Sequence, residues 1–178
     1  METTQREVQT YKKSVDWPKS VLRIAFGIIW LVDAIFKWQP AFREGYLDVV
    51  TSASQGQPNW LMPWFNFWIA TITPRVTFFY YSTAIIETLI ALALIFGFAR
   101  KSSYILAMIF SLFIWAIPEG FGGPYSAGST DVGTGLIYAI VFLALLALNA
   151  QPGTSKYSLD YILEKKISWW KKVAEIKL

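Results

Sequence analysis

Two carboxylates lie inside stretches of sequence that are otherwise apolar. Asp33 falls near the end of the apolar segment 20–38, and Glu87 falls near the middle of the segment 77–99. A charged group withdrawn from water is costly unless it is protonated, paired or facing a polar cavity, so such acids are candidates for proton exchange with a ligand. The alternative for Asp33 is a local salt bridge, because Lys37 follows it at the helical spacing of four residues.

Charged residues of the first apolar segment share one helix face. At 100° per residue, Arg23, Asp33 and Lys37 fall within roughly an 80° arc that also contains Trp30, with Gly27 beside it. We expect this face to look into protein. Arg23 stands close to the start of the segment, so the sequence favours a side chain that reaches back to the membrane surface.

A glycine-rich stretch, 117–138, joins two apolar segments and carries Glu119 and Asp131. Gly122 and Gly123 allow the backbone to approach a ligand closely, and consecutive N–H groups in such a loop can bind an anion. The alternative is a tight structural loop in which Asp131 favours the start of the next helix. Tyr138 adds a hydroxyl group to the face of that helix.

Composition indicates a membrane protein and excludes several kinds of site. The chain has 178 residues, of which 54% are hydrophobic and nine are Trp. Because Cys and His are absent, we expect no disulfide, no haem and no metal site of the usual kinds. The net charge of +4 comes from Lys and Arg at segment ends, which indicates contact with a membrane surface and not with nucleic acid.

The apolar pattern predicts an all-α membrane protein, a four-transmembrane-helix bundle with spans at 20–38, 77–99, 104–117 and 132–150. Residues 1–19 form a polar N-terminal segment, 20–150 the membrane domain and 151–178 a tail. Apolar residues at helical spacing between lysines predict that this tail is an amphipathic helix on the membrane surface. The proline-broken aromatic segment 60–69 predicts an interfacial helix at the outer side, not a fifth span.

The distribution of Lys and Arg predicts that both termini of this multi-pass protein are cytoplasmic. The N-terminal segment, the turn at 100–101 and the tail are basic, whereas the loop 117–131 has no Lys or Arg. The candidate functional residues then lie in the outer half of a cell-membrane protein. They are Asp33, Lys37, Glu119 and Asp131, with Glu87 below them.

Residues 17–150 resemble the DoxX/DoxD-like membrane family. The likeness lies in an Arg early in the first span, a Lys near its outer end, a Glu inside the second span, Glu-Gly-Phe-Gly-Gly-Pro at 119–124, and Thr-Asp-Val-Gly-Thr-Gly-Leu-Ile-Tyr at 130–138. It looks closest to the DoxD branch, the small subunits of archaeal thiosulfate:quinone oxidoreductases. The resemblance implies a four-helix bundle, a DoxA-type partner subunit, and oxidation of thiosulfate to tetrathionate with electrons passed to a caldariellaquinone-like quinone.

Candidate roles follow from the chemistry of those two substrates. Thiosulfate is a dianion that needs cations and N–H donors, for which the candidates are Lys37, Arg43, Gly122 and Gly123. Quinone reduction needs groups that bind the ring and groups that transfer protons. The candidates for quinone binding are Arg23, Asp33 and Tyr138, and those for catalysis are Glu87, Glu119 and Asp131.

Two further functions fit the same pattern of buried charges and exposed aromatic residues. One is a non-catalytic accessory subunit of a terminal quinol oxidase or another respiratory membrane complex, in which small-residue and aromatic faces contact the partner. The other is a small transporter or proton pathway, which would use the same buried charges.

Overall fold

The computed structural model describes residues 2–125, 131–151 and 155–176, with side chains from Trp17 onward. All regular structure in these ranges is helical, which confirms the all-α prediction. Three short 3-10 helices lie at Asn59–Leu61, Thr73–Arg75 and Gly120–Gly122. The α-helices are α1 (Glu2–Lys37), α2 (Pro40–Ser52), α3 (Met62–Ile72), α4 (Val76–Phe96), α5 (Arg100–Ala116), α6 (Thr134–Asn149), α7 (Leu159–Lys166) and α8 (Lys171–Ala174).

Four long helices share one apolar core. Trp30 of α1, Leu94 of α4, Ala107 of α5 and Phe142 of α6 are buried together. Helix α1 packs mainly on α4, and α5 packs mainly on α6. These helices cover the four apolar segments of the sequence, so the prediction that those segments are helical is confirmed.

Close packing within each helix pair depends on a glycine. A Cβ atom on Gly27 of α1 would lie 2.9 Å from Ile95 Cγ1 of α4. A Cβ atom on Gly135 of α6 would lie 2.6 Å from the carbonyl oxygen of Ser111 on α5. Any larger residue would therefore push the helices apart, and small residues at such crossings are typical of helix pairs in membranes.

The segment between α1 and α4 covers one end of the bundle. Helices α2 and α3 pack there around a second apolar cluster, in which Val50, Ile72 and Ile117 are buried. The 3-10 turn at Thr73–Arg75 joins α3 directly to α4, so Asn59–Phe96 is a helical stretch of 38 residues. By length and composition, this stretch alone within the described ranges is long and apolar enough to cross a membrane, which by itself is weak evidence.

The tail folds over the opposite end of the bundle, which we call the basic end. Its backbone leaves the helical conformation at Ile167, so two short helices, α7 and α8, replace the single amphipathic helix predicted from the sequence. Asp160 of α7 is fully buried because its carboxylate accepts hydrogen bonds from the N–H groups of Ala99 and Arg100, at 2.7 and 2.9 Å. The tail thus caps the first turn of α5.

Candidate functional site

Five ionisable side chains from α1, α4, α6 and the loop after α5 meet near the end covered by α2 and α3. We call them the acidic cluster: Asp33, Lys37, Glu87, Glu119 and Tyr138. Lys37 Nζ lies 4.0 Å from Glu87 Oε2, and the Tyr138 hydroxyl donates to Asp33 Oδ2 at 3.0 Å. Glu119 is close enough to Lys37, and Asp33 to Glu87, for electrostatic interaction. The fold thus brings together Asp33, Lys37, Glu87 and Glu119 of the predicted outer-half group and adds Tyr138, whereas Asp131 lies outside this cluster.

Glu87 is the least satisfied member of the acidic cluster. Its side chain is 3% exposed, and Oε2 has no hydrogen-bond partner within the described ranges. The indole Nε1 of Trp30 is also buried without a partner there, and the Trp30 ring lies 5.5 Å from that of Tyr138. Trp68 Nε1 on α3 is a third such atom. Buried polar atoms are nearly always bonded, so each of these positions points to a bound ligand or water.

The salt bridge that sequence spacing allowed between Asp33 and Lys37 is not the pairing in the structure. Asp33 is bonded to Tyr138 on α6, whereas Lys37 faces Glu87 on α4 and lies 4.7 Å from the ring centre of Phe42. Each partner is on another helix because the polar face of α1 looks into the bundle. These contacts therefore tie α1 to α4 and α6.

The excess of carboxylates in the acidic cluster favours the binding of protons and disfavours the binding of an anion. Three carboxylates, those of Asp33, Glu87 and Glu119, face one lysine. Their full ionisation would leave two negative charges uncompensated, so the cluster is suited to holding and releasing protons. The same excess of acid repels a dianion, which makes Lys37 poorly placed as the thiosulfate-binding cation.

Glu119 and Asp131 both support the start of α6. The N–H group of Gly135 donates to Glu119 Oε2 at 2.8 Å, and that of Gly133 donates to Asp131 Oδ1 at 2.7 Å. Burial raises the pKa of Glu119 above its ordinary value, and the Gly135 hydrogen bond opposes this shift in part. Asp131 is exposed. The structural alternative given for this loop therefore describes both carboxylates.

The amide N–H groups of Gly122 and Gly123 form hydrogen bonds within the glycine loop itself. The N–H groups of Gly122 and Gly123 donate to the carbonyl oxygens of Glu119 and Gly120, at 2.8 and 3.0 Å. Gly122 has φ +74°, and a Cβ atom there would collide with the Val132 carbonyl group, so glycine is required by the loop fold itself. These two amides are consequently engaged, and residues 126–130 of the loop lie outside the described residues.

The remaining two candidates lie apart from the acidic cluster. Arg43 is exposed on α2. Arg23 is buried at the basic end, where it donates to the carbonyl oxygens of Leu94 and Ile95 at the end of α4. Ten residues of helix place it about 15 Å along α1 from Asp33. Arg23 therefore cannot share a site with Asp33. The α4 carbonyls hold its side chain inside the fold at this end of the bundle, and its predicted position at the membrane surface stays a prediction.

Sequence reasoning did not single out Trp30 or Asp160. Trp30 could have been found, since it shares the polar face of α1 with the charged residues and an indole N–H needs a partner when buried. Asp160 gave no usable signal, because a polar residue in an amphipathic tail is normally exposed. Its burial depends on the free N–H groups of α5, which are about 60 residues away in sequence.

Comparison with known proteins gives no match to a protein-family model, to a curated protein or to a solved structure. The resemblance to the DoxX/DoxD-like family therefore stays a prediction from sequence motifs.

Proposed function

We propose that this chain is a multi-pass membrane protein whose four long helices cross the bilayer. Support comes from the distribution of its side chains, because buried charges beside the apolar core and a largely apolar outer face are unusual for a water-soluble protein. Charged residues are buried inside: Arg23, Glu87 and Arg100. Large apolar residues of every long helix are more than half exposed: Ile28, Leu89, Leu106 and Ile140. Lipid requires such an arrangement, whereas water would make it an aggregation surface.

We propose further that the chain is the membrane subunit of a thiosulfate:quinone oxidoreductase and that its acidic cluster protonates the quinone. The observation that carries this proposal is the buried Glu87 Oε2, which has no hydrogen-bond partner in the described ranges and lies 4.0 Å from Lys37. A protonated carboxyl group there is a donor, and Trp30 Nε1 is a second one. Buried polar atoms such as these two, placed between apolar helices, fit a ring that carries two carbonyl oxygens and arrives through lipid.

The residues have separate tasks in this reaction. Quinone, when bound, takes up two electrons and two protons to become quinol, and two thiosulfate ions supply the electrons as they join through an S–S bond in tetrathionate. Glu87 would give up a proton toward the ring in each of two steps, and Lys37 and Glu119 would pass two protons from the outer surface to restore it after each step. Because the acidic cluster repels a dianion, thiosulfate is bound and oxidised on the outer side with the DoxA-type partner subunit.

The substitution Glu87→Gln tests the proposal directly, since it keeps the shape of the side chain and removes its proton. Thiosulfate-dependent reduction of a soluble quinone analogue, measured on the purified chain with its partner, should fall by about 100-fold or more while assembly is retained. The control Glu44→Gln removes a carboxylate exposed on α2 and should leave the rate unchanged. An unaltered rate in Glu87→Gln would contradict the role of Glu87 and favour the accessory-subunit alternative.

Quinone binding has a second test that does not depend on turnover. Trp30→Phe keeps an aromatic ring in the core and removes the N–H donor, so quinone that co-purifies with the protein should fall about fivefold, as expected for one lost hydrogen bond. The matched change Trp169→Phe lies on the tail, where the side chain is exposed. Equal quinone content in the two variants would remove Trp30 from the site.

A further inference from the structure

The basic end of the bundle contains a small cavity of about 20 Å³ that opens to the surface between α1, α5, α6 and the start of the tail. Lys19, Arg23 and Arg100 line it, together with the polar side chains of Tyr104 and Asn149. Within the described ranges, no carboxylate is part of its lining. The cavity thus combines three cationic side chains with further hydrogen-bond donors.

Arg23 brings a buried positive charge to this cavity. Its side chain is 1% exposed, and its hydrogen bonds within the described ranges all go to main-chain carbonyl oxygens, those of Leu94, Ile95 and Tyr157. None of the salt bridges between described residues includes it. The end of α4 offers only about half a negative charge, so an anion in the cavity would reduce the cost of burying this guanidinium group.

The neighbouring carboxylates are engaged by Arg100. Asp160 Oδ2 lies 3.0 Å from Arg100 Nε, and oxygens of Glu164 and Glu175 lie 3.5 and 3.7 Å from Arg100 Nη2. Asp160 also accepts from Trp170 Nε1 at 2.8 Å. The acidic residues of the tail therefore pair with Arg100, whereas Arg23 forms no salt bridge with a described residue and feels Asp160 only at longer range.

We propose that this cavity binds the phosphate group of an anionic lipid headgroup, given the membrane location proposed above. A phosphate is the anion that guanidinium and ammonium groups bind through paired, charge-assisted hydrogen bonds. The cavity is also lined by Leu145 and Leu148 of α6, so an occupant meets an apolar wall beside the cations. Basic pockets between transmembrane helices at the cytoplasmic surface commonly hold such headgroups.

Thermal unfolding of delipidated protein in neutral detergent tests the ligand class. Short-chain phosphatidylglycerol should raise the melting temperature in a saturable manner, because it binds the folded state, and phosphatidylcholine should not. Inorganic phosphate is the third arm. If inorganic phosphate raises the melting temperature to a plateau at the same concentration as the anionic lipid, the site binds a soluble anion and the lipid assignment is overturned. The absence of a shift with either compound would overturn the site.

Two variants localise the effect. Lys19→Gln should weaken the affinity for phosphatidylglycerol about fivefold, whereas Lys166→Gln, an identical change at an exposed position on α7, should not. Tyr104→Phe removes a cavity-lining hydroxyl without altering charge and should also weaken binding. Equal losses in Lys19→Gln and Lys166→Gln would indicate a general surface charge effect and contradict the proposal. Both cavity variants should keep quinone reduction, which separates a failure here from a failure of the proposed function.

Discussion

Glu119 joins the acidic cluster to the first turn of α6, so its protonation state acts on the fold as well as on the site. Its carboxylate accepts the Gly135 N–H group, yet burial dominates and raises its pKa. The folded protein therefore binds a proton on Glu119 more tightly than the unfolded chain does. The contribution of that proton to the free energy of unfolding is fully present below pH 4.5, the ordinary pKa of glutamate. It is lost as the pH rises through the higher pKa of Glu119 in the folded protein.

We predict that the stability of the wild type relative to Glu119→Gln falls as pH rises above 4.5. Glutamine stays neutral and can still accept the Gly135 hydrogen bond, so it lacks this pH dependence. Melting temperatures of both proteins in detergent, from about pH 4 to about pH 8, measure the difference across the titration. Glu44→Gln is the control for loss of an acid on an exposed surface. A difference that does not vary with pH would refute the prediction.

At the residue scale, the sequence pointed to most charged members of the acidic cluster but did not define their pairings. Asp33, Lys37 and Glu87 could be found because a charge inside an apolar run is visible in one dimension. Their partners depend on how far α1, α4 and α6 are rotated about their axes, which hydrophobic periodicity does not define. For that reason, the sequence allowed an Asp33–Lys37 pair, whereas the fold joins Lys37 to Glu87 and Asp33 to Tyr138.

At the element scale, the two helix pairs are held at short distance by single glycines. We predict that Gly27→Ala destabilises the protein by about 1–3 kcal/mol, since the new methyl group would meet Leu94 and Ile95 at 2.9 Å. Gly45→Ala on α2 is the matched control, because a Cβ atom there has no neighbour within 4 Å. It should be neutral or stabilise by up to about 1 kcal/mol through helix propensity. Thermal unfolding compares the two, and equal effects would contradict the close-packing argument.

Helices whose apolar faces bury each other were predictable, but segments that depend on distant partners were not. The four core helices follow from apolar runs, which need no knowledge of neighbours. The tail was predicted from its own periodicity as one surface helix. Its break at Ile167 and the burial of Asp160 instead satisfy helix ends elsewhere in the bundle.

At the scale of the whole molecule, the chain has two ends of different chemistry. The acidic cluster lies near one end, and the other end gathers Lys19, Arg23, Arg100 and Lys101 around the tail. The fold therefore places on one side the three basic regions that the sequence assigned to the cytoplasm. This arrangement is what the positive-inside rule requires of a four-span protein.

We predict that the end bearing the acidic cluster faces outward. The chain has no native Cys, so a single introduced thiol reports position cleanly. Tyr125→Cys, at an exposed position in the glycine loop, should react with a membrane-impermeant maleimide on intact cells. Lys166→Cys, exposed on α7, should react only after the cells are permeabilised. The reverse pattern would invert the orientation and with it the outer location of quinone reduction.

The capping of α5 by Asp160 has a consequence for biosynthesis. The N–H groups of Ala99 and Arg100 meet their acceptor about 60 residues later in the chain, which corresponds to about 3 to 12 seconds of translation. Until then, the first turn of α5 has neither this cap nor the ion pair of Arg100. In the membrane location proposed above, the four core helices would therefore insert before this end of the bundle is complete, and the tail would close it afterwards.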